Sequence, residues 1–231
     1  MGVASPDMAD ERTWNWHIAD ALVGTFLRTI FRLRVEGAER IPDGGGVIVP
    51  NHISSLDPLL VGTAMRRRQR MVRFLSGTEF FAMRWVGKGL RFLEQIPLRR
   101  GESDQEALGN AIDVARAGGL TGLFPEGRIN NGPALLLRGR RGAARIAVAS
   151  GAPLVPVGIW GTQVRYPGSG LTFRRPWRPT VAVVFGDPIE VDPSAASARE
   201  ILYITNDLMA QLEVLVVRAQ ELAGRNGFAR V

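Results

Sequence analysis

The most distinctive chemistry in the sequence is carried by a histidine and an aspartate five residues apart, His52 and Asp57. A turn between them can bring the carboxylate onto one ring nitrogen, which leaves the other nitrogen as a general base. This pair resembles a serine-protease triad without its nucleophile, because no serine lies in a Gly-x-Ser-x-Gly turn. It therefore predicts deprotonation of a hydroxyl that arrives with the substrate. The alternative is that Asp57 only caps a helix and His52 is an ordinary loop residue.

A second motif is the run Phe124-Pro125-Glu126-Gly127-Arg128. Its proline and glycine predict a tight turn that exposes Glu126, and Arg128 adds a planar set of donors suited to phosphate. On its own, the run is equally compatible with an ordinary surface turn.

A third motif is the arginine pair Arg99 and Arg100, which follows the strand-like run Ile96-Pro97-Leu98. Paired arginines on a loop are more often solvated than functional. Beside a general base and a turn that carries Arg128, they become candidates for holding an anionic substrate.

The three motifs follow predicted strands, and ligands of open α/β sheets bind beyond the carboxyl ends of the strands. Strands are predicted at 46–50, 73–75, 95–98, 120–124, 154–159 and 181–185. Helices are predicted at 57–65, at 79–93 with a glycine interruption, at 103–117 with Ser103 as its cap, and at 141–150 and 197–223. This alternation predicts one α/β domain over residues 34–231, with a largely parallel central sheet flanked by helices.

The composition narrows the kinds of site that the chain can build. Its 231 residues include no cysteine and only two histidines, which excludes disulfides, thiolate metal sites and multi-histidine metal sites. Every basic residue except Lys88 is arginine, and the formal net charge is +7 at pH 7. This balance is typical either of a GC-rich genome or of an anionic partner, such as nucleic acid, a membrane surface or a phosphorylated substrate.

Four blocks of the sequence, in order and spacing, resemble the glycerolipid acyltransferases, the family of lysophosphatidic acid and glycerol-3-phosphate acyltransferases. The first block, Asn-His-x-x-x-x-Asp, is matched by Asn51, His52 and Asp57. The other blocks are matched by a run that ends in Arg100, by Phe124 to Arg128, and by Val155-Pro156-Val157. The resemblance covers roughly residues 33–187, which is most of the chain.

The resemblance implies a mechanism in which His52, oriented by Asp57, takes the proton of a glycerol hydroxyl. That hydroxyl would attack the thioester of acyl-CoA or acyl carrier protein, a co-substrate, without a metal or another cofactor. Lysophosphatidic acid would become phosphatidic acid in phospholipid biosynthesis, with glycerol-3-phosphate or another lysolipid as the alternative acceptor. The implied substrate-binding residues are Asn51, Arg99, Arg100, Phe124, Pro125, Glu126, Gly127 and Arg128, with Val155, Pro156 and Val157 on the acyl-donor side.

The segment 14–33 is predicted to form an amphipathic helix, preceded by a disordered tail over residues 1–13. Trp16, Leu22, Phe26 and Leu27 share its apolar face, and Arg28 lies on its polar face. Such a helix either packs on its own domain or lies in a membrane interface with its arginines towards lipid phosphates. We therefore expect a peripheral, monotopic enzyme on the cytoplasmic side of the cell membrane, since the tail is acidic and no apolar run reaches about 18 residues.

A basic nucleic-acid-binding module is the alternative from a different functional class, suggested by the positive charge. The sequence contains none of the helix-turn-helix patterns, aromatic sheet signatures or zinc ligands that such modules use. The expected partners are therefore an acyl thioester, a glycerol-phosphate acceptor and an anionic membrane surface, and not nucleic acid.

Overall fold

A seven-stranded sheet forms the centre of the chain in a computed structural model, which describes residues 14–99, 104–166, 170, 172 and 176–224. The predicted tail over residues 1–13 and the predicted site residue Arg100 lie outside the described residues. The strands are β1 (Arg32–Glu36), β2 (Gly46–Pro50), β3 (Val72–Gly77), β4 (Ile96–Leu98), β5 (Leu120–Gly122), β6 (Leu154–Trp160) and β7 (Thr180–Phe185).

The sheet is mostly parallel, in the strand order β1-β7-β6-β2-β5-β3-β4. Strands β2 to β6 run in one direction, whereas β7 is antiparallel to β6 and β1 is parallel to β7. The predicted α/β class with a largely parallel sheet is confirmed. The two reversed strands have a further consequence: β1 and β7 begin at the edge where the five parallel strands end. We call this edge the carboxyl edge.

Helices cover both faces of the sheet, as predicted. Their bounds are α1 (Trp14–Ala19), α2 (Thr25–Ile30), α3 (Asp57–Ala64), α4 (Thr78–Ala82), α5 (Arg84–Phe92), α6 (Gln105–Arg116), α7 (Gly142–Ser150) and α8 (Ala198–Ala223). Successive residues of β2 face opposite sides of the sheet and therefore contact different layers of helices. Val47 and Val49 pack with the core residues of α6 and α7, whereas Ile48 faces the cluster that includes Val61 of α3.

The long helix α8 crosses β6 and β7 at unusually short range. A side chain at Gly158 of β6 would place its Cβ 2.3 Å from the backbone carbonyl of Leu215. Leu212 and Val216 of the same helix are fully buried against Ala182 and Val184 of β7. Glycine at position 158 is therefore what allows the helix to lie directly on the sheet.

The N-terminal helix is shorter than predicted. A π-helical turn, Asp20–Gly24, joins α1 to α2, and the helical backbone ends at Ile30. The remainder of the predicted segment is β1, in which Leu33 pairs with Val181 of β7. The sheet therefore begins inside the segment that the sequence assigned to a helix, because helical periodicity continues into a strand whose residues alternate in polarity.

The apolar face of this helix is divided between the core and the surface. Leu27 and the following Phe31 are buried against Leu60 and Val181. Four other apolar residues, at successive helical turns, are exposed: Trp14, Ile18, Leu22 and Phe26. None of the described helices combines the length and the apolar composition needed to cross a bilayer.

Two local predictions are corrected by the structure. The predicted helix at 79–93 breaks at Met83, which has extended backbone angles, and its glycines lie inside α5. The cap of α6 is Asp104, whose side chain accepts a hydrogen bond from the Ala107 amide, and the predicted cap Ser103 lies outside the described residues.

Candidate active site

Two of the motifs singled out by the sequence, those of His52 and Phe124, lie on neighbouring strands at the carboxyl edge of the sheet, whereas Arg99 follows the outer strand β4. His52 lies directly after β2, and the Phe124 turn follows β5, the neighbour of β2. The loop after β6, the neighbour on the other side, contributes Thr162. Adjacent parallel strands thus bring side chains that are distant in sequence to one point, as expected for an α/β sheet.

His52 and Asp57 form the predicted pair. Nδ1 of His52 lies 3.0 Å from Oδ2 of Asp57, and the His52 side chain is 11% exposed while that of Asp57 is fully buried. A carboxylate only accepts hydrogen bonds, so Nδ1 carries the proton in the neutral ring. Nε2 is therefore the nitrogen with a free lone pair, which is the arrangement that a general base needs.

The Asp57 carboxylate is held by further donors. Oδ2 also accepts hydrogen bonds from the backbone amides of Ile53 at 2.7 Å and Ser54 at 2.8 Å. Oδ1 accepts one from the hydroxyl of Thr162 at 2.6 Å. Asp57 is also the first residue of α3, where the helix dipole favours a negative charge. These contacts compensate the burial of the charge and fix the direction from which the carboxylate meets His52.

The His52 ring is stacked on Phe124. The two ring centres lie 3.9 Å apart at an interplanar angle of 19°, and Phe124 in turn stacks on Phe74 of β3 at 5.3 Å. Phe124 was predicted to bind substrate. The structure gives it a contact with His52, since it supports the face of the imidazole ring and thereby restricts its rotation.

The backbone of His52 is held from both sides by the segment that follows β5. Its amide donates to Oε1 of Glu126 at 2.8 Å, and its carbonyl accepts from the Asn130 amide at 2.7 Å. Oε2 of Glu126 accepts from the Leu137 amide at 2.8 Å, and the side chain is almost fully buried. This corrects the prediction that Glu126 is exposed, and both of its carboxylate oxygens bond to the backbone.

Asn51 also has a structural contact in place of the predicted substrate contact. Its side-chain amide donates to the carbonyl of Ile159 at 3.1 Å and accepts from the amide of the same residue at 2.7 Å. The residue is fully buried. Asn51 therefore ties the end of β2 to β6 immediately before His52.

The turn after Phe124 forms as predicted. Gly127 donates its amide to the carbonyl of Phe124 at 3.1 Å and has a positive φ of 69°, which favours glycine. The carbonyl of the buried Pro125 accepts from the Arg140 amide at 2.8 Å. A Cβ at Gly127 would meet the side chain of Arg140 at 2.6 Å, so this arginine lies over the turn. Pro125 and Gly127 therefore determine the shape of the turn.

Two exposed arginines lie on this turn, Arg128 and Arg140. Within the described part of the chain, neither side chain forms an ion pair. Arg99 is also exposed, but it forms ion pairs with Asp104 at 3.6 Å and Glu106 at 3.4 Å. Among these predicted anion-binding residues, the structure therefore favours Arg128 over Arg99.

The fourth block lies in the core. Val155 and Val157 of β6 are fully buried in the cluster with Ile48 and Phe74, and Pro156 is buried between them. This corrects the prediction that these residues contact the acyl donor. Their role is to build the central strand from which the loop with Thr162 departs.

Two residues of the site were not predicted from the sequence. Thr162 follows a strand and a glycine, a position without a motif of its own. Arg140 belongs to the basic cluster Arg138-Gly139-Arg140-Arg141, which was a usable signal, but such clusters are more often solvated surfaces. The turn geometry at Gly127 separates Arg140 from its neighbours in that cluster.

Comparisons with known proteins agree with this geometry. The model of the family described as Acyltransferase matches residues 32–160. The 1-acyl-sn-glycerol-3-phosphate acyltransferase of Bacillus subtilis is 26% identical over 86% of this chain and 94% of its own length. A chloroplastic 1-acyl-sn-glycerol-3-phosphate acyltransferase of Brassica napus is 28% identical over 65% of this chain and 44% of its own length.

A solved structure shows the same fold. The crystal structure of the 1-acyl-sn-glycerophosphate (LPA) acyltransferase PlsC from Thermotoga maritima matches with a TM-score of 0.67 and 26% identity. The match covers 92% of this chain and 81% of that one. The family match extends over more than half of the chain and includes both His52 and Asp57. The chain therefore belongs to the acyltransferase family, and its resemblance to the glycerolipid acyltransferases is confirmed.

Proposed function

We propose that the protein transfers a fatty acyl group from acyl-CoA or acyl carrier protein to the free hydroxyl of lysophosphatidic acid, forming phosphatidic acid for phospholipid biosynthesis. The observation that carries this proposal is the bond from Nδ1 of His52 to Asp57. It leaves Nε2 as a base for a hydroxyl supplied by the acceptor. The names of the relatives from Bacillus subtilis and Brassica napus support the choice of acceptor.

The reaction follows from the state of the two residues. Nε2 of His52 takes the proton of the acceptor hydroxyl as its oxygen attacks the thioester carbonyl carbon. The imidazolium that forms is stabilised by the buried carboxylate of Asp57. The tetrahedral intermediate collapses with cleavage of the carbon–sulfur bond, and the leaving thiolate takes the proton back from Nε2. The acyl group passes directly from sulfur to oxygen.

Arg128 and Arg140 are the proposed ligands of the acceptor phosphate. Both are exposed, and Arg128 follows while Arg140 contacts the turn whose first residue, Phe124, stacks on the His52 ring. Arginine presents a planar set of donors that matches phosphate oxygens, and neither side chain is engaged by an acid in the described structure. A phosphate bound there would place the glycerol hydroxyls near the base.

We further propose that the enzyme works at an anionic membrane surface as a peripheral protein. The exposed stripe Trp14, Ile18, Leu22 and Phe26 on α1 and α2 supports this location. Leu22 is 69% exposed and Trp14 is 67% exposed, values that are costly in water and favourable in a lipid interface. A lysolipid acceptor is present in the same interface.

The test is acyl transfer by the purified protein in detergent micelles, with palmitoyl-CoA as donor and lysophosphatidic acid or glycerol-3-phosphate as parallel acceptors. We expect product with lysophosphatidic acid, and a loss of about a thousandfold in kcat for His52→Ala, the usual size of general-base catalysis. His17→Ala removes the other histidine, which lies exposed on α1, and serves as the matched control. Transfer by His52→Ala at the parent rate would overturn the mechanism.

The acceptor and donor are separated by the same assay. Product with glycerol-3-phosphate alone would assign the protein to the preceding acylation. No product with either acceptor would require an acyl carrier protein donor or another lysolipid. Arg128→Gln and Arg140→Gln are expected to raise the acceptor KM about tenfold each, since hydrogen bonds to charged groups contribute about 1.5–3 kcal/mol.

A further inference from the structure

A second exposed apolar surface lies on α4 and α5, outside the N-terminal helix. Its largest member, Trp85, is 72% exposed, and Met83 and Val86 beside it are also exposed. Phe80 and Phe92 extend the surface at either end. We call these five residues the α5 surface. Apolar side chains in such a contiguous group indicate an interaction site, because single exposed residues are ordinary but patches are not.

The α5 surface is continuous with the stripe on α1. The ring of Phe92 meets the ring of Trp14 edge to face, with their centres 5.5 Å apart. Two helical units that are far apart in sequence therefore form one apolar area. The contact between Phe92 and Trp14 joins the exposed side chains of the two units.

The charge of α5 is positive throughout. The helix contains Arg84, Lys88 and Arg91 and no acidic residue. Arg84 and Lys88 each lie 5.2 Å from the centre of the Trp85 ring, and within the described residues neither forms an ion pair. In a membrane interface, the cations beside an exposed tryptophan contact lipid phosphates, and the indole ring contacts the acyl chains.

Both helical units join the sheet at the edge that carries His52, α4 by its first residue and α2 by its last. α4 begins at Thr78, directly after β3 ends at the carboxyl edge. α2 leads into β1, which runs opposite to β2 and therefore begins at that same edge. The Arg178 guanidinium fixes the end of α2 there, since it donates to the carbonyl of Arg28 at 2.7 Å. Both units are therefore attached to the sheet at this edge.

We propose that the α5 surface is a second bilayer-binding element, which docks the domain on an anionic lipid surface together with the stripe on α1 and α2. The inference rests on the proposed location of the enzyme at a membrane and assigns the contact to residues outside segment 14–33. Attachment through two helical units restricts the orientation of the domain on the lipid, whereas one helix alone would let the domain rotate about it.

The test is co-sedimentation with vesicles of phosphatidylcholine alone and of equimolar phosphatidylcholine and phosphatidylglycerol. The double variant Trp85→Ser/Val86→Ser is expected to bind the mixed vesicles about tenfold more weakly than the parent, because two apolar side chains no longer enter the interface. The variant Arg84→Gln/Lys88→Gln is expected to lose at least tenfold on mixed vesicles and little on phosphatidylcholine alone.

The matched control is Val214→Ser/Val217→Ser on α8, which packs on the face of the sheet opposite to α2, and Val214 is 68% exposed there. We expect it to bind as the parent does. Thermal unfolding of each variant shows that the fold is kept. Because the chain has no cysteine, Trp85→Cys and Val214→Cys can each be labelled with an environment-sensitive fluorophore. Its emission should shift to the blue on vesicles only at position 85.

Two outcomes would overturn the proposal. One is equal vesicle binding by the parent and Trp85→Ser/Val86→Ser, with no blue shift at position 85. The other is a parent protein that does not bind vesicles and sediments as a dimer, while Trp85→Ser/Val86→Ser sediments as a monomer. The surface would then bind a second copy of the chain. The micelle assay of the parent reports the proposed function separately, because it requires no docking to a bilayer.

Discussion

The hydroxyl of Thr162 donates a 2.6 Å hydrogen bond to Oδ1 of Asp57, the carboxylate oxygen that His52 does not use. Both residues are fully buried, and they come from loops after β6 and β2. One carboxylate therefore joins His52 to the loop after a neighbouring strand of the sheet. Thr162 is a positioning residue, because it acts on the base through Asp57.

Thr162→Val removes this hydroxyl and keeps the shape of the side chain. We expect kcat to fall about tenfold with little change in KM, since a hydrogen bond to a charged group contributes about 1.5–3 kcal/mol. Thr162→Ser should restore most of the rate. Steady-state kinetics of the three proteins over a range of pH check this, and an unchanged pH profile with parent kcat in Thr162→Val would contradict the positioning role.

Glu126→Gln tests whether this residue positions the base or binds substrate. The carboxylate accepts from the backbone amides of His52 and Leu137, and glutamine offers only one acceptor oxygen for the two donors. We expect kcat to fall about tenfold, the value of one charge-assisted bond, while the acceptor KM stays near that of the parent. A raised KM with parent kcat would instead support a substrate contact.

Asp104 makes the stability of the chain depend on pH. Hydrogen bonds from the backbone amides of Arg99 and then Ala107 hold the pKa of this carboxyl below its usual range. Its stabilisation is therefore present above the ordinary aspartate pKa of about 3.9 and is lost as the pH falls through the lower folded value. Asp104→Asn should unfold at lower urea concentration than the parent at neutral pH.

The same comparison in acid is the control for that prediction. Once Asp104 is protonated in both the folded and the unfolded parent, its charge no longer stabilises the fold. The urea midpoints of parent and variant should then approach each other. A difference between parent and Asp104→Asn that is independent of pH would show that the charge of Asp104 does not stabilise the folded chain.

Gly158→Ala tests the packing of α8 on the sheet. The added Cβ would lie 2.3 Å from the Leu215 backbone, which cannot yield as a flexible side chain does. We expect the free energy of unfolding to fall by about 1–3 kcal/mol. Gly109→Ala in α6 is the matched control, because nothing lies within 4 Å of its Cβ position. It should stabilise the protein by about 0.5–1 kcal/mol, and urea denaturation measures both variants.

Much of the fold can be predicted from short segments whose residues are nearly all apolar. Strands such as Gly46–Pro50 and Leu154–Trp160 are fully buried, so each is a nearly continuous apolar run that only a central parallel strand tolerates. β1 was missed because Leu33 continues the helical period of the residues before it. The reversal of β7 could not be predicted, since strand direction depends on which edge the chain reaches after a long loop.

Some residues of the site can likewise be predicted from their spacing in the sequence, whereas the roles of others depend on whether the fold buries them. His52 and Asp57 were predicted because a five-residue spacing limits how two side chains can meet. Asn51 and Glu126 have the same polarity whether they face a substrate or the backbone, and only the folded chain shows that both are buried. Thr162 meets Asp57 across 105 positions of sequence, a separation at which no local pattern carries information.

The pairing of β1 with β7 also bears on the order in which the chain assembles. Arg32 pairs with Thr180, so almost the entire domain must leave the ribosome before this contact can close. Pairing across so long a loop is slow, because the loss of chain entropy precedes the gain from contacts. The nascent chain therefore has Leu27 and Phe31 without their contact to Val181 while the rest of the sheet forms. We expect the growing polypeptide to reach a bilayer through this segment before its catalytic edge is complete.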